Sequence, residues 1–226
     1  AMHALHGRGR TSLAGRRVLV NAGPTREPID PVRYITNRSS GKMGYAIAGA
    51  AAARGAQVAL VSGPTNLPAP EGCALMPVET ADQMYQACMT AAPDADIIIA
   101  AAAVADYRPA SYSCSKIKKT ADDMCIRLER TRDIVAELGQ IKGARVIVGF
   151  AAETDDLLVN AQSKLVSKNL DIIVANVVGV ERSAFCSDEN SVTLLRPGLE
   201  PEALPAMPKL ALAHEILDRA ASIIRK

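Results

Sequence analysis

The chain reads as a doubly wound, Rossmann-like α/β domain: a mostly parallel sheet with helices on both faces and a small antiparallel extension. Three observations carry that expectation. Five short β-branched runs are apolar at consecutive positions, as strands covered on both faces must be. Helical patterns separate them, so strand alternates with helix along the chain. Each run also ends in small or polar residues, and open parallel sheets bind their ligands just outside the carboxyl ends of the strands.

The elements follow in order. Residues 1–15, "AMHALHGRGRTSLAG", show no periodicity and read as a tail or linker, leaving 16–226 as one domain. "RRVLVNA" (16–22) is the first strand; the loop "AGPTREPIDPVRYITN" leads from it to a helical pattern at 44–54. "QVALVS" (57–62), "ADIIIAAAA" (95–103), "RVIVGF" (145–150) and "DIIVAN" (171–176) are the other strands. Helical patterns at 80–91, 132–140 and 153–169 lie between them, and one at 208–225 closes the chain. "MCIRLER" (124–130) and "NSVTLLR" (190–196) alternate apolar with polar residues. They are expected as antiparallel strands outside the parallel sheet, open to pairing with a second subunit.

Composition excludes several classes of function. A net charge of +2 is too small for non-specific nucleic-acid binding, and with no Trp and only Phe150 and Phe185 there is no platform for stacking bases. The five Cys are odd in number and form no CxxC pair, which points to a reducing compartment without disulfides or a zinc site. "ADIIIAAAAVA" is too short to cross a bilayer, and the N-terminus lacks the apolar core of a signal peptide, so the expected location is the cytoplasm. His3, His6 and His214 are the only histidines and none is well placed as a general base, which disfavours Ser-His and Cys-His hydrolases.

The stretch "ITNRSSGKMG" (35–44) combines two glycines, two serines and a lysine ahead of a helix. It is not a Walker A loop, because Met43 follows Gly41-Lys42 and Thr36 stands five residues before Gly41. It is not a dinucleotide fingerprint either: only Gly41 and Gly44 fit the spacing, and the second strand ends in Val61-Ser62-Gly63 without an acidic residue. Hydroxyls and amides of Ser39, Ser40 and Gly41 at a helix start suit a phosphate, and they equally suit a plain helix cap. "AAAVADYRP" brings alanines and Asp106 to the end of a strand, where backbone can approach a flat base or simply pack closely. "KIKK" (116–119) and the pair Lys164 and Lys168 are either solvated surface or partners for a polyphosphate.

Together, "AGPTREPIDPVRYITNRSSGKMGYAIA", "AAAVADYRP", "KIKK", "GFAAET" and "KNLDIIVAN" resemble phosphopantothenoylcysteine synthetase, the ligase half of the bacterial bifunctional coenzyme A enzyme. The resemblance runs in matching order from about Arg16 to the C-terminus. It implies a CTP-dependent ligase joining 4′-phosphopantothenate to L-cysteine through an acyl-cytidylate. By this resemblance Ser39, Ser40, Gly41, Gly44 and Gly23 hold the substrate's phosphate, Asn176 the pantothenate arm, and Asn37 the acyl-cytidylate and its turnover. The CTP site would comprise Ala100, Ala101, Ala102, Asp106, Lys116 on a flap, Arg132, Asp133, Ile134, Val135, Phe150, Lys164 and Lys168, with Mg²⁺ accompanying the nucleotide and no protein metal ligands. Asn37 and Lys116 are the residues to which catalysis would be assigned. The resemblance further implies a homodimer. The flavin-dependent decarboxylase domain that usually precedes this one is not in these 226 residues, so FMN would belong to that domain alone. In "SYSCS", before Lys116, Cys114 has no assignable role. Two other readings remain: an NAD(P)-dependent oxidoreductase, and a nucleotide-binding module without catalysis.

Overall fold

The computed structural model describes residues 12–119, 123–153, 156–177 and 188–224. His3, His6, the first arginines of the 8–17 basic cluster, Thr154, the end of "ANVVG", Phe185 and Cys186 lie outside the described residues.

Five parallel strands fall where the apolar runs placed them: β1 (Arg17–Ala22), β4 (Gln57–Ser62), β6 (Ile97–Ala100), β9 (Val146–Glu153) and β10 (Ile172–Val177). A sixth, β5 (Cys73–Pro77), pairs parallel with β4 and forms one edge. At the other edge β11 (Glu189–Leu195) runs antiparallel to β10, and β12 (Glu202–Pro208) antiparallel to β11. The sheet order is β12-β11-β10-β9-β6-β1-β4-β5. The chain therefore winds outward from β1 in one direction, then returns to the other side of β1 at β6. That reversal is the topological switch point, where a crevice opens at the carboxyl ends of the strands.

The helices are α1 (Lys42–Ala53), α2 (Ala81–Ala91), α3 (Ile134–Gln140), α4 (Leu157–Ser167) and α5 (Lys209–Ile223), with a short 3₁₀ turn at Ala92–Asp94. They divide between the two faces. Val18, Val20 and Ala22 of β1 pack with Ile47, Ala48 and Ala51 of α1 and with Leu212, Ile216 and Ala220 of α5. Leu19 packs on the opposite face with Met84 of α2, Leu138 of α3 and Leu165 of α4. The alternation is the period-two rule of a strand, with both sides apolar because both are covered. Ile97, Ile98 and Ile99 are almost fully buried, and each such side chain contributes on the order of 1.5–3 kcal/mol.

Two small hairpins sit above the carboxyl ends: β2 (Arg26–Pro28) with β3 (Tyr34–Thr36), and β7 (Tyr107–Pro109) with β8 (Leu128–Arg130). The run at 124–130 is thus a correction. Only its last three residues form a strand, and they pair with β7 in a separate sheet rather than extending the main one. The run at 190–196 does extend the sheet. Leu13, inside the stretch expected as a tail, is 1% exposed and packs into the core, its amide donating to the carbonyl of Arg54.

Candidate functional site

A cavity of about 510 Å³ opens at the switch point, where β1, β6, β9 and β10 end and α1 and α3 begin. Asn21, buried near the end of β1, ties the two central strands together there: its side-chain oxygen accepts from the Ala102 amide at 2.9 Å. The Ala103 amide donates to the Gly23 carbonyl, and the Ala105 amide to the Thr25 hydroxyl. These bonds hold the alanine stretch along the cavity wall, where Ala101, Ala102 and Ala103 line it. Asn37 closes that side by donating from Nδ2 to the carbonyl of Val104 at 2.9 Å.

Opposite the alanines stands the loop from Asn37 to Gly44. Gly41 is the N-cap of α1 in the left-handed conformation, with φ 74°, and no side chain caps the helix. The Ser39 hydroxyl instead accepts from the Gly41 amide at 3.3 Å. The expected alternative of a serine cap is therefore corrected: the N-cap is Gly41, which has no side chain to offer the first amides of α1. Gly44 has a packing reason of its own. A Cβ there would lie 2.5 Å from the Cβ of Ala22, so α1 can reach β1 only with glycine at this turn.

The third wall is the start of α3. Asp133 is its N-cap, accepting from the Ala136 amide at 3.0 Å, and it also pairs with Lys168 Nζ at 2.8 Å. Partial burial opposes charge on Asp133, but Lys168 and the amides of Ala136 and Val135 outweigh it and hold the carboxyl below its ordinary value. Gly139 lets this pairing happen. A Cβ at that position would stand 2.0 Å from the Lys168 carbonyl, so glycine allows the end of α4 to press against α3. Arg132 lies over the ring of Tyr85, 4.5 Å from its centroid, which fixes the guanidinium at the cavity wall. The cavity is lined by five cationic residues, Arg38, Lys42, Arg132, Lys168 and Lys209, against two carboxylates, Asp106 and Asp133. It is electrostatically suited to an anionic ligand.

Most of the sequence-predicted residues meet in this one cavity: Asn37, Ser39, Ser40, Gly41, Gly44, Ala101, Ala102, Asp106, Arg132 to Val135, Phe150, Lys168 and Asn176. Four do not. Ala100 is the buried last residue of β6, and Gly23 is turned toward Thr65 and Gly63. Lys164 lies one turn before Lys168 on α4, outside the lining. Lys116 is exposed and held away from the cavity. Its neighbour Ile117 donates its amide to Asp30 and receives Arg33 on its carbonyl, while the Ser113 amide donates to Ile29. Asp30 is 2% exposed, and the Arg33 guanidinium beside it holds its carboxyl well below the usual carboxylate range. The β2–β3 turn thus anchors the loop that carries Lys116.

The sequence reading missed Arg38, Met43, Ala103, Val104, Ala152, Asn190 and Lys209 as lining residues, and noted Lys42 without assigning it. Arg38 and Ala103 were contiguous with recognised motifs. Asn190 and Lys209 come from β11 and the start of α5, and no local pattern relates them to the loop at 37–44. Among the described residues no three His, Cys, Asp or Glu side chains converge as a metal site, and no helix is long and apolar enough to cross a membrane.

The model of the DNA/pantothenate metabolism flavoprotein C-terminal domain matches residues 13–224. The coenzyme A biosynthesis bifunctional protein CoaBC of Vibrio parahaemolyticus is 50% identical over 210 residues, covering 92% of this chain and 52% of that protein. The CoaBC protein of Bacillus subtilis is 46% identical over 215 residues, covering 95% of this chain and 53% of that one. The crystal structure of a CoaBC C-terminal domain superposes with a TM-score of 0.80 at 43% identity, covering 93% of this chain and 96% of the other. The chain spans about half the length of the curated relatives it matches.

Proposed function

The chain belongs to the DNA/pantothenate metabolism flavoprotein C-terminal domain family, in keeping with its resemblance to phosphopantothenoylcysteine synthetase, and from that premise we propose that it joins 4′-phosphopantothenate to L-cysteine using CTP. The observation that carries this reading is that one cavity unites two anion-receiving ends. The uncapped start of α1 with Ser39 and Ser40 takes the phosphate of phosphopantothenate. Ala101, Ala102, Asp106, the start of α3 and Lys168 take the nucleotide. The carboxylate of the first substrate then meets the α-phosphorus of the second between them.

In the first step a carboxylate oxygen attacks that phosphorus, the bond to the pyrophosphate oxygen breaks, and acyl-cytidylate and pyrophosphate form. In the second, the amine of cysteine attacks the acyl carbon, the bond to CMP breaks, and the amine sheds its proton as the amide forms. Neither step requires a histidine. Holding the reacting atoms together and stabilising charge on the leaving group account for most of such a barrier. Lys168 and Arg132 receive the polyphosphate. Asn37, hydrogen-bonded to the alanine strand end, stands between the two halves and supports turnover of the intermediate. Asn176 supports the pantothenate arm. Lys116 reaches the nucleotide when the 113–117 segment leaves its anchor on Asp30.

Magnesium suits this site as a partner of the triphosphate rather than of a protein cage, since it keeps water and takes one or two carboxylates besides phosphate oxygens. Asp106 and Asp133 are the carboxylates in the cavity lining that could take part. When bound, the metal would neutralise part of the triphosphate's charge.

Homodimer formation and fusion to a decarboxylase domain, which would carry FMN, belong to the same proposal. Pyrophosphate release tests the reading. It should require phosphopantothenate, Mg²⁺ and CTP rather than ATP, and cysteine should accelerate it. Nucleotide binding without pyrophosphate release under any of these conditions would instead indicate a binding module.

A further inference from the structure

Two helices that start at the cavity carry the wrong charge for a helix end. Lys42 opens α1 and Lys209 opens α5, and neither helix has an acidic residue in its first turn or a side-chain cap. Cations are unfavourable at the positive end of a helix. The contrast with the neighbouring helices is clear. α2 starts with a Thr80–Gln83 capping box and Asp82, and α3 with Asp133 as its cap. Lys209 is moreover only 7% exposed, a costly position for an ammonium group. Both lysines line the cavity beside Ser39, Ser40 and Gly41.

The two lysines converge on Asp188. Lys42 Nζ pairs with its carboxylate at 2.7 Å, and the Lys209 amide donates to its carbonyl at 3.0 Å. Lys42, and secondarily Lys209, hold the Asp188 carboxyl below its ordinary value. Yet the Asp188 side chain is 87% exposed, so the carboxylate that pairs with Lys42 is a solvated one.

We infer that Lys42 and Lys209 are the residues that select the phosphorylated form of the pantothenate substrate, and that Asp188 is a competing anion which the substrate's phosphate displaces from Lys42. This inference rests on the ligase reading and adds its specificity determinant. A dianionic phosphate accepts from the lysines and from the first amides of α1 at once, which the carboxylate of Asp188, just before β11, does not.

The test is calorimetric binding of 4′-phosphopantothenate and of pantothenate to the same chain. The wild type should prefer the phosphorylated ligand. Lys209→Met should weaken phosphopantothenate binding by roughly ten- to a hundredfold, the range for a charged hydrogen-bond partner, and leave pantothenate binding unchanged. Lys42→Met, at a more exposed position, should weaken it roughly two- to fivefold, again for the phosphorylated ligand alone. Asp188→Asn should tighten phosphopantothenate binding a few-fold, roughly the value of an exposed ion pair. Should Lys209→Met fail to fold, the two exposed-site variants decide. Equal losses for both ligands, or no loss for either, would overturn the inference while leaving the ligase reading intact. A wild-type chain that binds neither ligand would overturn both.

Discussion

At one end of the cavity six consecutive residues, Ser39 to Gly44, supply the hydroxyls, the amides and the first turn of α1. At the other end, Ala101 to Asp106, Arg132 to Val135, Phe150 and Lys168 arrive from separate segments, tied by bonds among them and to their neighbours: Asn21 to Ala102, Thr131 to Ala105, Asp133 to Lys168. The first end contains no carboxylate in its lining, and the second contains both Asp106 and Asp133. A phosphate that stays attached throughout the reaction needs only a fixed anion site. Under the proposed reaction, a triphosphate that binds, breaks and leaves needs charges balanced closely enough to release it. The contiguous end is suited to holding, and the assembled end to exchange.

The largest effect should come from a residue that lies outside the cavity lining. Lys116→Gln should slow pyrophosphate release by roughly a hundred- to a thousandfold, the cost of removing one preorganised charge from a developing leaving group. Phosphopantothenate affinity should not change. An unaltered rate, measured by coupled pyrophosphate assay, would show that the loop never leaves Asp30 for the nucleotide. Lys168→Met comes next. It removes a cation from the exchange end and leaves Asp133 without its ion-pair partner, and should raise the KM for CTP roughly ten- to a hundredfold. A matching rise in KM for phosphopantothenate would break the division into two ends.

The remaining predictions concern the frame. Gly44→Ala places a methyl group against Ala22, and overpacking of this kind costs roughly 1–3 kcal/mol. For a chain of this size each kcal/mol lowers Tm by about 2–4 °C. The loss should fall on the holding end, weakening phosphopantothenate more than CTP. An unchanged Tm would mean that α1 moves off β1 without penalty. The smallest effect is a pH dependence. Asp30 has a folded pKa below its unfolded value, so it contributes stability above about pH 4. That contribution is lost as the pH falls through the folded value. Urea denaturation of the wild type should therefore lose stability below pH 4 more steeply than that of Asp30→Asn, and parallel curves would refute the role of the Arg33 pair.

The same contrast explains what could be read from the chain before its fold was known. The five central strands announce themselves because burial on both faces leaves runs such as Ile97-Ile98-Ile99 with no polar position. The edge strands do not. β5 is half exposed, and β12 contains Pro205 and Pro208, which an edge tolerates because one side of its backbone makes no ladder bonds. The holding end was visible as a continuous stretch, whereas Lys209 and Asn190 became neighbours of that stretch only through the α1–α5 packing and the β10–β11 turn-back. The setting of "KIKK" was hidden in the same way: the Ile117 amide is bonded to Asp30 in the β2–β3 turn, and no local feature of the four residues reveals that contact.

In the proposed reaction the acyl-cytidylate is the point at which both ends act together, and isotope transfer reports it directly. Phosphopantothenate labelled with ¹⁸O in its carboxylate should be converted with CTP and cysteine, and the nucleotide product examined by mass spectrometry. Attack of the carboxylate on the α-phosphorus leaves one labelled oxygen on CMP when the amide forms, and that is the result expected here. Label found in pyrophosphate or inorganic phosphate, or CMP formed without label, would contradict the placement of the two substrates in this cavity.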